Sequence, residues 1–269
     1  MKVSFSTLGC PRWTWNEVFS TAKDLGVQGV EIRGLGSAMY APEIKEFSEA
    51  ECENTKEKLS KLNIEIPIFT TGAALADREK GNKSFVEACD YINCASRMGV
   101  KYIRIMGTDK PEITDGDFDR CVELYNLVCE YGKIQGVTPL LETNGKLSNS
   151  DFMMEILNRV KSDNKGVLWD VHHTVRFADE APLKTVNTLG NYIKHIHVKD
   201  SVVEDGSVIY KMMGYGDLPV GEALRELKKT GYDGFVSLEW VKRWQPYLQE
   251  PGIVFAGFAN YMADIMEKL

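Results

Sequence analysis

Thr138-Pro139-Leu140-Leu141-Glu142 is a short apolar run that ends on a carboxylate, and Val167-Leu168-Trp169-Asp170 repeats the form one unit later. His195-Ile196-His197-Val198 and Val236-Ser237-Leu238-Glu239 follow in the same style. Four runs therefore close on a polar side chain at positions 142, 170, 197 and 239. Between them lie stretches with helical period. Runs of this length, apolar on both faces and separated by helices, read as parallel strands covered on each side.

Working outward, the same alternation fills the chain. Further strands are expected at Val3–Leu8, Val27–Ile32, Ile64–Thr70 and Tyr102–Met106. Helices are expected near 15–25, 48–62, 83–98, 117–134, 150–160, 183–190, 220–229 and 253–267. Gly26, Gly99, Gly136 and Gly231 stand at helix-to-strand joints, where a helix C-terminus turns with positive φ. Ser48-x-x-Glu51 has the form of a capping box, and Asp117 and Ser148 precede helices similarly. Eight βα units within 269 residues, with no linker-like segment, give a single-domain (β/α)₈ TIM barrel over 1–269. A doubly wound open sheet is the alternative.

Composition is that of a folded protein: 43% hydrophobic, 26% charged and a net charge of −7. It excludes disordered and collagen-like classes, and an acidic chain argues against a nucleic-acid partner. No apolar run reaches the ~18–20 residues of a membrane span. The start, Met1 to Cys10, faintly resembles a lipoprotein cleavage site, but its apolar segment is too short and reads as a first strand. The six cysteines have no C-x-x-C and no framework spacing, which points to reduced thiols in a cytoplasmic protein.

In a parallel barrel all C-terminal strand ends open on one face, where barrel active sites lie. Glu142, Asp170, His197 and Glu239 would converge there as three carboxylates and one imidazole. Such a set suits one divalent metal, Mn²⁺ before Mg²⁺, Co²⁺ or Zn²⁺. Each of these residues also has a structural reading, as a helix cap or an ion-pair partner. His195 and His197 share a strand face; His197 is nearer the strand end and the better ligand, while His195 packs deeper and hydrogen-bonds. His172 and His173 follow Asp170 in an expected loop, one of them facing the pocket. Glu31, Arg33, Thr70, Thr71 and Arg104 stand at other strand ends. Arg33 or Arg104 could bind a phosphate or carboxylate, or pair across the barrel mouth. Trp13, Trp240 and Trp244 offer apolar walls to a sugar ring, or pack between loops. Gly214-x-Gly216 is either a phosphate loop or a tight turn. Phe255, Phe258 and Tyr261 either meet a partner chain or form the inner face of the last helix.

These residues resemble the xylose-isomerase-like TIM barrels, a group of sugar phosphate isomerases and epimerases that also includes hydroxypyruvate isomerase, inosose dehydratase and, more distantly, endonuclease IV. The marks are Leu8-Gly9-Cys10-Pro11-Arg12-Trp13, Gly29-Val30-Glu31-Ile32 and Leu141-Glu142-Thr143-Asn144. Further marks are Trp169-Asp170-Val171-His172-His173, His195-Ile196-His197-Val198-Lys199-Asp200, Gly214-Tyr215-Gly216-Asp217-Leu218-Pro219 and Ser237-Leu238-Glu239-Trp240.

The resemblance implies a metal held by Glu142, Asp170, His197 and Glu239, with Glu142 and Glu239 as acid and base on a keto-sugar. It also implies His173 as a substrate contact. His172, Arg104, Lys199, Trp13 and Asn144 are the other candidate substrate contacts. The arginine that follows the metal histidine in ketose epimerases is replaced here by Lys199-Asp200. The expected activity is isomerisation or epimerisation of a sugar or sugar phosphate through an enediolate. The alternatives are an inosose-dehydratase-like lyase and a non-catalytic sugar-binding barrel. The histidine-rich multi-zinc centre of endonuclease IV finds too few ligands among four histidines, none of which precedes His172. The expected partner is a small carbohydrate, with no nucleic acid and no membrane, and a homo-oligomer is possible.

Overall fold

The computed structural model describes residues 1–80 and 82–269. Eight parallel strands make the barrel: β1 (Lys2–Ser6), β2 (Gly29–Glu31), β3 (Phe69–Ala74), β4 (Tyr102–Met106), β5 (Thr138–Glu142), β6 (Gly166–Asp170), β7 (Ile193–Val198) and, after an inserted hairpin of β8 (Asp200–Glu204) and β9 (Ser207–Lys211), β10 (Phe235–Leu238). Strand order runs β2-β1-β10-β7-β6-β5-β4-β3. The ring closes between β2 and β3 through the parallel bridges Gly29↔Glu65 and Ile32↔Phe69, with Thr70 N donating to Ile32 O at 2.9 Å. This is the expected barrel rather than an open sheet.

The helices are α1 (Trp15–Asp24), α2 (Cys52–Leu62), α3 (Lys83–Met98), α4 (Asp115–Gln135), α5 (Ser150–Arg159), α6 (Val171–Ala178), α7 (Pro182–Leu189), α8 (Val220–Lys229) and α9 (Pro251–Glu267). Among the described residues no helix is long and apolar enough to cross a membrane. Gly99 and Gly136 end α3 and α4 at φ 71° and 72°, as expected of C-terminal glycines.

Four details differ from expectation. The third strand begins at Phe69 rather than Ile64, because Pro67 removes a ladder donor from the earlier run. Ser48 is no helix cap: it follows a 3-10 turn, and α2 starts at Cys52. The capping boxes are Thr14 with Glu17 and Thr114 with Asp117, while Asn149, not Ser148, caps α5. The segment after β6 is helical at once, so His172 and His173 lie in the first turn of α6 and not in a loop.

Strand alternation sorts the side chains. Phe5, Val30, Phe69, Ile103, Ile105, Leu141, Trp169, Ile196 and Val236 point outward into the main core beneath the helices. Ile68, Leu140 and Leu168 form a separate small cluster, with Tyr102 against it, that fills the lower lumen. One step further along the same inward rows come Thr70, Arg104, Glu142, Asp170 and His197, all buried. The apolar plug thus supports a polar layer at the C-terminal face of the barrel.

Candidate metal centre

The polar layer is built around His197. Its Nε2 lies 2.8 Å from Glu31 Oε2, so the ring donates there and turns Nδ1 to the mouth. Among the described residues Nδ1 has no hydrogen-bond partner although it is buried. It stands 3.6 Å from Glu142 Oε1, 3.6 Å from Glu239 Oε1 and 3.9 Å from Asp170 Oδ2. Ligand atoms from all four side chains lie within 4.8 Å of one another. The four strand ends at 142, 170, 197 and 239 are thus brought together.

Each carboxylate divides its oxygens between this centre and an anchor. Glu142 Oε2 faces Arg104 Nε at 3.3 Å. Asp170 Oδ1 accepts the His173 backbone N–H at 3.1 Å and so caps α6, while Oδ2 accepts from Lys199 Nζ at 2.5 Å. Lys199 also donates to Glu239 Oε2. The ammonium is fully buried between these two acids.

Electrostatics follow from this packing. Burial alone would raise Glu142, but Arg104 and His197 outweigh it and hold its carboxyl below the usual carboxylate range. Asp170 is lowered in the same way, against burial, by His173 and Lys199. Burial would lower His197, but Glu31 and Glu239 dominate and raise it well above an ordinary histidine. Lys199 is likewise raised, against burial, by Asp170 and Glu239. Four carboxylates, with Glu31 counted, therefore face two fixed cations, Arg104 and Lys199, and the surplus negative charge draws a proton to His197. A divalent ion among the three carboxylates and Nδ1 would answer both the surplus charge and the orphaned nitrogen. The donor set, three oxygens and one nitrogen, fits such an ion.

Glu31, at the end of β2, meets both histidines of β7: His195 Nε2 also lies against its Oε2, at 3.1 Å. His195 is thus a buried hydrogen-bonding residue, as expected. His173 Nδ1 donates to Thr143 O at 3.0 Å and lies 3.6 Å from Asp170 Oδ2, at the edge of the centre. His172 sits behind this edge: its Nε2 is 3.1 Å from Ser201 Oγ, its ring stacks on Tyr210, a ring nitrogen lies within 4.8 Å of ligand atoms of Asp170 and His173, and burial with nearby Lys199 pushes it down to about 3. Asn144 Nδ2 contacts the Met106 sulfur at 3.6 Å, and Trp13 packs edge-on against Phe255. Neither contact joins the ligand cluster. Trp240 is buried, donating to Gln249 O, and is no open wall; Trp244 is exposed.

The Gly214-x-Gly216 loop already holds an anion, the chain's own Asp200. Its Oδ2 accepts from Gly214 N at 3.0 Å and Gly216 N at 2.9 Å, and its Oδ1 from Leu218 N at 3.3 Å. The loop is a turn organised by Asp200, not a phosphate loop. Phe255 and Phe258 are buried, which settles the last helix as an inner face at those positions.

Tyr210 belongs to none of the motifs named above, yet it closes over the rim of the centre. It lies on β9, paired with Ser201 of β8, and the hairpin sets its ring over His172 at a centroid distance of 5.3 Å. Asp205-Gly206 between two alternating runs was the available signal, since both residues take positive φ in the turn.

Comparison with known proteins agrees with this architecture. The chain is 24% identical over 263 residues to fructoselysine 3-epimerase of Shigella flexneri, with 93% of each chain covered. Among solved structures it is similar to the IOLI protein with a bound zinc atom, at TM-score 0.83 and 17% identity, over 100% of this chain and 99% of that one. It is also similar to the probable 3-DHS dehydratase AsbF of Bacillus anthracis, at TM-score 0.78 and 18% identity, over 98% and 99% of the two chains. A sequence model of the xylose isomerase-like TIM barrels matches residues 19–258, so with its barrel and strand-end cluster the chain belongs to that family.

Proposed function

We propose that the protein is a divalent-metal-dependent isomerase or epimerase of a hydroxy-ketone sugar. The observation that carries this reading is the buried, unpartnered Nδ1 of His197 facing carboxylate oxygens of Glu142, Asp170 and Glu239 at 3.6–3.9 Å. The similarity to an epimerase over nearly the whole chain, and to a zinc-bound barrel, supports it.

Glu142, Asp170, Glu239 and His197 would hold the ion, which supplies polarisation of a carbonyl and charge to match a developing enediolate. Glu142 and Glu239 come from β5 and β10, with β6 and β7 between them, so they approach a substrate from different sides. Arg104 beside Glu142 keeps that carboxylate ionised, as a group that must accept a proton needs to be, and Lys199 fixes Glu239 in place. One glutamate, ionised, takes the proton α to the carbonyl, and the other, entering the cycle as the carboxylic acid, delivers its own proton to the enediolate, after which the two exchange protons with water. Return to the same carbon epimerises; return to its neighbour isomerises. Glu31 keeps His197 in the tautomer that presents Nδ1.

The test is a reconstitution series. Protein stripped by chelation and reloaded with Mn²⁺, Co²⁺, Mg²⁺ or Zn²⁺ is incubated with a panel of keto-sugars in deuterium oxide. The expected result is metal-dependent turnover, best with Mn²⁺, and deuterium at the α-carbon. Full turnover by protein shown metal-free by elemental analysis would defeat the proposal. Formation of an unsaturated product with loss of water would move the protein to the lyases.

A further inference from the structure

Arg33 follows β2 and Arg104 lies on β4, so the two flank β3. Both reach over the same peptide of that strand. Arg104 Nη1 donates to Thr71 O at 2.8 Å, and a carbon placed on Gly72 would sit 3.4 Å from Arg33 Nη2. Arg104 is joined to the metal centre through Glu142. Arg33 has no such carboxylate partner among the described residues. The hydrogen bond from its guanidinium goes to Met39 O and is long, 3.4 Å. Among the described residues no carboxylate oxygen lies within 4.0 Å of it. Glu87 also borders Gly72, but its Oε1 is engaged by the Gly72 N–H at 2.5 Å. Burial first, and then the neighbouring Arg104, disfavour the charge on Arg33, and Tyr91, Glu87 and Glu239 offset them only in part.

A half-buried guanidinium with five donors, one long bond and a second guanidinium beside it is an unsatisfied arrangement. An anion with several acceptor oxygens between the two forks would answer it, since planar bidentate pairing is what arginine does best. Gly72 leaves the intervening strand without a side chain at that spot, where a Cβ would lie 3.2 and 3.7 Å from the two Glu87 carboxylate oxygens as well as 3.4 Å from Arg33 Nη2.

We propose that Arg33 and Arg104 form a subsite for an anionic group of the substrate, a carboxylate or a phosphate, at the β2–β4 side of the barrel mouth. It deepens the isomerase reading by naming the substrate class, and rests on that reading only for where the hydroxy-ketone end lies. The neutral sugars of the reconstitution panel would then be poorer substrates than their acidic or phosphorylated counterparts.

Two measurements on the metal-loaded full chain test this. The first titrates inorganic phosphate, and separately acetate, into wild type and Arg33→Met by calorimetry. The subsite predicts saturable binding that Arg33→Met weakens tenfold or more; stronger phosphate binding assigns a phosphorylated substrate, stronger acetate binding an acidic one. Phosphate held only by the metal would bind both proteins alike, and equal binding or none in wild type overturns the subsite. The second compares kcat/KM for keto-sugars with and without a terminal phosphate or carboxylate. The charged-to-neutral ratio should fall at least tenfold in Arg33→Met. An unchanged ratio overturns the proposal. Arg33→Lys, which keeps the charge but loses the fork, should fall between the two proteins and replaces Arg33→Met if that variant does not fold. Should no keto-sugar be turned over, the isomerase reading fails while the titration still decides the subsite.

Discussion

At the scale of single residues, the centre depends on two kinds of carboxylate. Glu142 and Glu239 face the His197 nitrogen, and Glu31 lies behind it. Glu142→Gln and Glu239→Gln each keep an oxygen that can bind an ion but cannot accept a proton at neutral pH. Activity should fall on the order of 10²–10⁴-fold in each, with metal content, measured by elemental analysis, falling less. Retained turnover in either variant with metal bound would remove that glutamate from the proton path. Glu31→Gln should act differently. It weakens the acceptor that orients His197 and His195, so metal affinity should drop about 10–100-fold, read by competition with a chromogenic chelator. Full metal affinity in that variant would reduce Glu31 to a packing residue.

At the scale of elements, the insertion between β7 and α8 is organised by one carboxylate. Asp200, buried at the start of β8, gathers the N–H groups of Gly214, Gly216 and Leu218. The backbone there approaches so closely that a Cβ on Gly216 would lie 2.0 Å from Asp200 Oδ1 and 2.5 Å from Ser201 O. Gly216→Ala must therefore move the loop or break the bonds, at a cost of about 1–3 kcal/mol in urea unfolding. A stability within about 0.5 kcal/mol of wild type would show that the loop yields freely. Because Ser201 pairs with Tyr210, and Tyr210 stacks on His172, the disturbance should reach the rim of the centre as well.

At the scale of the whole molecule, the barrel gathers Glu31, Glu142, Asp170 and Glu239 in one buried layer against Arg104 and Lys199. An ion that binds only the folded chain stabilises it by mass action, about 2.7 kcal/mol at a hundredfold excess over Kd. For a chain of this size that corresponds to about 5–10 °C in Tm. Calorimetry should show a single transition that moves down by that amount on chelation and returns with added metal. A Tm indifferent to chelator would show that Lys199, Arg104 and a protonated His197 already satisfy the acids.

The strand ends were legible in the sequence because each apolar run stops on the residue that faces the mouth. Period-two alternation then requires that Glu142, Asp170, His197 and Glu239 point into the lumen if the strands form a barrel. The same parity separated His197 from Ile196, and the glycines at 99 and 136 marked where helices stop. What the sequence left open were contacts between residues far apart in the chain. Glu31 lies 166 positions before His197, and only the closing of β2 onto the ring brings its carboxylate beneath both histidines. Gly214-x-Gly216 left a phosphate loop open beside the tight turn, and Asp200, seated inside it, decides for the turn. Arg33 and Arg104 read equally as an ion pair or an anion site, and only the closed ring sets Arg104 against Glu142 while leaving Arg33 on Met39 O. Local pattern determines which face a side chain takes, because that is set by the backbone repeat of its own strand. Which partner it meets there depends on how the strands curl into a ring, and that is decided by packing across the whole barrel.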